Sequence, residues 1–82
     1  MNNKELITAY LSQEKDAGSA SNKTLHFTGG QLFSYERMIA ERINGKVIFN
    51  PRGRSSATTN RHIRLLTIGL LKFPEQQAPK EA

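Results

Sequence analysis

Asn44-Gly45, set between two apolar runs, constrains this chain more than any other pair of residues. A two-residue hairpin turn of type I′ needs positive φ at both central positions, and Asn-Gly supplies that most readily. Residues 46–50, KVIFN, should therefore return antiparallel to residues 32–43, LFSYERMIAERI, which read as one long strand. A two-residue turn sets Arg42 opposite Val47 and Ala40 opposite Phe49. The other face of the hairpin would hold Tyr35, Ile39, Ile43 and Ile48. Both faces keep apolar residues, so the pattern alone leaves the register open. One face is expected to pack on helices and the other to be partly exposed. Phe33 and Tyr35 read as core residues, with a platform for stacking bases as the alternative.

The remaining elements follow from periodicity and turn chemistry. Within residues 2–14, NNKELITAYLSQE, the side chains Leu6, Ile7, Tyr10 and Leu11 form one stripe at helical period. Asn2 or Asn3 can cap that helix. KDAGSASNK then reads as a loop, because Gly, Ser and Asn favour turns. Residues 24–28, TLHFT, alternate with Leu25 and Phe27 on one side, as a short strand does. Pro51 ends the last strand, since it cannot donate to a ladder. Thr58, Thr59 or Asn60 can cap a second helix running to about Leu71, with Ile63, Leu66 and Leu70 as its stripe. Residues 63–71 also alternate as a strand would, and Gly69 costs a helix about 1 kcal/mol relative to Ala. Helix is preferred there, with strand left open. The expected fold is a small α+β domain of order α-β-β-β-α, a three-stranded antiparallel sheet packed with two helices. It should occupy residues 1–73, with residues 74–82, PEQQAPKEA, as a disordered tail.

Size limits what can hold such a domain together. An 82-residue chain buries a thin core. It has no cysteine, which excludes disulfides and thiolate metal sites. His26 and His62 lack ligand spacing, so neither a metal nor another cofactor is expected. Pairing as a homodimer would add buried area. The longest apolar run is LLTIGLL, residues 65–71, far short of the roughly 20 residues that cross a bilayer. Residues 1–20 contain no apolar leader core. The expectation is a cytoplasmic protein without a membrane partner.

Charge is unevenly placed. The net charge is +5, and residues 50–73 contain Arg52, Arg54, Arg61, Arg64 and Lys72 with no acid, so the whole excess sits in one block. Such a block suits a polyanion. A helix N-terminus already carries partial positive charge, and cations placed there oppose it unless an anion arrives. Arginine forks, hydroxyls and free N–H groups together suit phosphate oxygens. The candidate nucleic-acid contacts are Arg52, Arg54, Ser56, Thr58, Thr59, Asn60, Arg61, His62 and Arg64. His62 itself reads as a helix-start residue touching backbone or solvent. No enzyme is expected, because His62 near Ser55 or Ser56 lacks an orienting acid and a nucleophile motif.

Several of these residues carry a resemblance. Phe33-Ser34-Tyr35, Ile39-Ala40-Glu41-Arg42, Phe49-Asn50 and Ser56-Ala57-Thr58-Thr59-Asn60-Arg61-His62 occur in the order found in a family of small phage-encoded proteins of uncharacterised function, which this chain resembles. Phe33 departs from that pattern, which has Tyr there, as does Arg54-Ser55 in place of Lys-Tyr. The resemblance implies a phage or prophage origin, hence a bacterial host cell, and supplies no activity. The order of elements is also similar to the double-stranded-RNA-binding domain, whose second helix grips phosphates. The resulting expectation is a phage-type accessory protein that binds DNA or RNA without catalysis. The alternative is a phage protein that inhibits an acidic host protein or defence complex through the same basic surface.

Overall fold

The computed structural model describes residues 1–50 and 57–77. The chain opens with helix α1 (Asn3–Ser12) and continues through strands β1 (Ala17–Ser19), β2 (Leu25–Thr28), β3 (Gln31–Ser34), β4 (Arg37–Ile43) and β5 (Lys46–Phe49). Helix α2 (Ala57–Leu70) and a 310 turn (Pro74–Gln76) follow. All strands pair antiparallel in chain order to give one five-stranded sheet. This corrects the expected α-β-β-β-α order and three-stranded sheet; the likeness to the double-stranded-RNA-binding domain falls with that order. Residues 63–71 are helical up to Leu70, which removes the strand alternative there.

The two extra strands come from segments whose local chemistry conceals them. Ala17, Gly18 and Ser19 are poor strand formers, yet they pair with Thr28, Phe27 and His26. Gly18 is needed there, because a Cβ at that position would lie 2.7 Å from the Phe27 ring. The long strand expected over residues 32–43 is divided by a turn at Tyr35-Glu36, which closes between Ser34 and Arg37. Neither residue is a turn former. Tyr35 nevertheless takes a φ of 57°, a conformation bulky side chains rarely adopt. Its N–H donates to the Thr24 carbonyl at 2.7 Å, so a long-range bond holds the turn.

The Asn44-Gly45 hairpin forms as its chemistry requires. Both residues have positive φ, 52° and 78°, and Arg42 faces Val47 while Ala40 faces Phe49. Asn2 caps α1 in a reciprocal pair with Glu5. The stripe Leu6, Ile7, Tyr10 and Leu11 is fully buried. It packs with Leu25, Phe27, Leu32, Ala40 and Val47 of the sheet and Leu66 and Leu70 of α2 into a single core. Both helices therefore cover one face of the sheet. A register shift between β3 and β4 leaves Ile39 as an extra residue, and this bulge carries it into the core. Ile43 and Ile48 remain on the uncovered face, which also holds Phe33. The His26 and Phe33 rings stack in parallel there at 5.0 Å, and Tyr35 is exposed at its turn. Neither Phe33 nor Tyr35 joins the core.

Arg42 ties the layers together. Its guanidinium lies 4.6 Å from the centre of the Tyr10 ring, donates to the Tyr10 carbonyl at 2.7 Å, and donates to Gln76 Oε1 at 3.0 Å. Gln76 in turn donates to the Leu11 carbonyl. Tyr10 and Leu11 are in the last turn of α1, where carbonyls lack helical partners and a cation is favoured. Residues 74–77 of the expected tail are thus folded: Gln76 is buried and Gln77 bridges to Val47. Residues 78–82 lie outside the described residues. No helix among the described residues is long and apolar enough to cross a membrane.

Candidate nucleic-acid interface

Arg61 and Arg64 of the basic segment lie on α2. That helix spans Ala57–Leu70 among the described residues, so Thr58, Thr59 and Asn60 lie inside it and are not its cap. Arg61 and His62 fall in the second turn and Arg64 beyond it. Helix-end electrostatics fade within the first turn, so these cations do not oppose the helix as their place in the sequence suggests. Arg52, Arg54 and Ser56 lie outside the described residues.

Alternation around α2 sorts the remaining candidates. Asn60, Arg61 and Arg64 are exposed, and Thr58 is half-buried. Neither Arg61 nor Arg64 has a hydrogen-bond or ion-pair partner among the described residues. Thr59 and His62 point the other way and are buried at 5% and 1% exposure. Burial removes both from any phosphate-contacting surface and corrects the reading of His62 as a helix-start residue facing backbone or solvent.

Thr59 and His62 meet a residue that is not among the candidate contacts and is marked in the sequence only by the resemblance motif. Ser34, at the end of β3, places its hydroxyl 2.7 Å from His62 Nδ1 and 3.0 Å from Thr59 Oγ1. All three side chains are buried. A hydroxyl carries one proton and two lone pairs, so Ser34 donates to one neighbour at most and accepts from at least one. His62 Nε2 is buried without a partner. An orphaned lone pair is tolerated better than an orphaned N–H, which favours the proton on Nδ1, donated to Ser34. Burial pushes the His62 imidazole below its ordinary pKa of 6.5, which keeps it neutral at pH 7. A Ser–His contact invites a catalytic reading, but Ser34 is 1% exposed and no carboxylate orients His62 among the described residues. The group is a latch between β3 and α2.

Strand alternation offered the one available signal for this latch. In QLFS, Leu32 and Ser34 share the inward face, so Ser34 must find a polar partner inside. Which partner it finds depends on residues 25 and 28 positions further along the chain. Arg37, opposite Ser34 in the register, adds a half-buried basic residue at this end of the sheet.

Two helices on one face of a five-stranded meander, with a basic stripe along the second helix, define a small basic α+β module. A family model covering residues 2–80 makes the assignment specific: the chain belongs to the family of unknown function DUF8033. No curated protein and no solved structure matches it.

Proposed function

We propose that this protein is a phage-type accessory protein that binds nucleic acid without catalysis. It does so through the outward face of α2, with Arg61 and Arg64 on phosphates and Asn60 beside them. Arg52 and Arg54, a few residues earlier in the chain, add charge to the same acid-free block. One observation supports the reading above others: Arg61 and Arg64 stand exposed on one helix face, without side-chain partners among the described residues, inside a segment that carries the entire net charge of +5. Unpaired guanidinium groups at fixed spacing exchange water and counterions for phosphate oxygens at small cost. Phosphate contacts position a protein without reading sequence, so binding should be weakly sequence-dependent. The phage origin, and with it a place in the host cytoplasm, rests on the resemblance in the motif-bearing segments.

Fluorescence anisotropy with labelled duplex DNA, single-stranded DNA and duplex RNA tests the proposal. Binding should be micromolar or tighter at low salt. It should weaken by roughly 0.7 to 0.9 log units per phosphate contact for each log unit of salt. Arg61→Ala/Arg64→Ala should lower both the affinity and the salt slope. No binding to any of the three at low salt would exclude the reading.

A further inference from the structure

A second surface of α2, beyond the basic stripe, is apolar. Past Arg64 the helix presents Ile68 at 52% exposure, and Leu71 follows at 70%. A small protein gains nothing for its own fold from large apolar side chains held in water, and such residues beside a groove mark interaction sites. Ile68 lines a groove between α1 and α2, together with Ile7, Leu11, Leu65 and Phe73. Gly69 shapes it: a Cβ there would lie 2.9 Å from Leu11 Cδ1 and 3.0 Å from Ile7 Cγ2, so the glycine lets the helices approach closely. Among the described residues, the charged ones lining the groove are Lys4 and Lys72, both exposed, and none is acidic.

We infer that this groove docks an acidic amphipathic helix of a partner protein. A channel between two packed helices accepts the apolar ridge of a third, with anchors at i, i+3, i+4 and i+7. Lysines beside a mainly apolar lining select carboxylates on the flanks of that ridge. A second copy of this chain is disfavoured as occupant, because it brings its own +5 charge to a lysine-lined groove. The inference does not rest on the nucleic-acid proposal, since it uses different residues at the other end of α2.

The test is a titration of the full chain with a synthetic helical peptide bearing leucines at those anchor positions and glutamates on both flanks. A control peptide of the same charge has alanines for the leucines. Saturable binding should appear with the leucine peptide only. Ile68→Gln should weaken it about tenfold or more, the loss expected for one buried aliphatic anchor. Lys72→Glu should weaken it several-fold, and Arg61→Ala/Arg64→Ala should leave it unchanged. Ile68 and Lys72 are exposed, so thermal melts of both variants should match the parent. Four results would overturn the inference: no saturable binding, equal binding of the alanine peptide, self-association in sedimentation that Ile68→Gln abolishes, or adsorption to anionic phosphatidylserine vesicles that Ile68→Gln abolishes.

Discussion

The inward and outward faces of α2 divide one short stretch of sequence between two tasks. Thr59 and His62 turn inward to Ser34, while Asn60, Arg61 and Arg64, interleaved with them, turn outward. In the sequence these five residues form a single basic, polar cluster. Helical geometry splits it, because neighbours in sequence lie about 100° apart around a helix. The inward pair closes the domain, and the outward set remains available to a partner. Several motif residues behind the phage-family resemblance fall on the closing side. Ser34, Ile39, Ala40, Thr59 and His62 are buried, and Arg42 bonds across to α1. Asn50 bonds the Met38 carbonyl at 3.1 Å. That pattern marks how the fold is locked. The phosphate-contacting surface proposed above takes Asn60 and Arg61 from the motif and adds Arg64 from beyond it.

The comparison can be broken from the buried side first. His62→Ala should cost about 3–4 kcal/mol in urea unfolding, since it opens a cavity and strands the Ser34 hydroxyl. A loss under ~1 kcal/mol would mean that the latch does not hold α2. Ser34→Ala should cost about 1–3 kcal/mol, and its effect should not add to that of His62→Ala, because both remove one network. A double-mutant cycle reads that coupling.

Acid gives a smaller effect on the same face. Burial holds the folded-state pKa of His62 below its ordinary value of 6.5, so the unfolded chain takes up a proton first as pH falls. The contribution is fully present above about pH 6.5 and is lost as pH drops through the folded-state pKa. Urea midpoints across that range should fall for the parent, and that part of the fall should vanish in His62→Phe. The outward face gives the smallest stability change of all. Arg61→Ala/Arg64→Ala should stay within about 0.5 kcal/mol of the parent, while the salt slope for nucleic acid drops by about 1 per lost contact. A large stability loss there would erase the distinction between the faces.

Legibility in the sequence followed how local each determinant is. Helix α1, its Asn2 cap and its buried stripe needed only residues within a few positions of one another. The turn at Asn44-Gly45 was readable, because two residues set its backbone; the register that puts Arg42 opposite Val47 was left open by apolar residues on both faces and is set by the fold. Strand β1 was not readable: three poor strand formers are ordered by pairing with β2. Nor was the turn at Tyr35-Glu36, where a bond from Thr24 holds a conformation that tyrosine disfavours. At the candidate interface, charge identified the segment, and only helix phase decided that Asn60, Arg61 and Arg64 face out while Thr59 and His62 face in.

By itself the sequence determined the period of each strong element, the Asn-Gly turn and the placement of all net charge in one block. Those depend on local backbone preference and on composition. The tertiary structure decided the strand count, the Ile39 bulge, the folding of residues 74–77 onto α1 and β5, and the split of the basic cluster into latch and surface. Each of those depends on a hydrogen bond or an apolar contact between residues far apart in the chain. Such contacts carry no local signature, because their free energy appears only once the two segments have met.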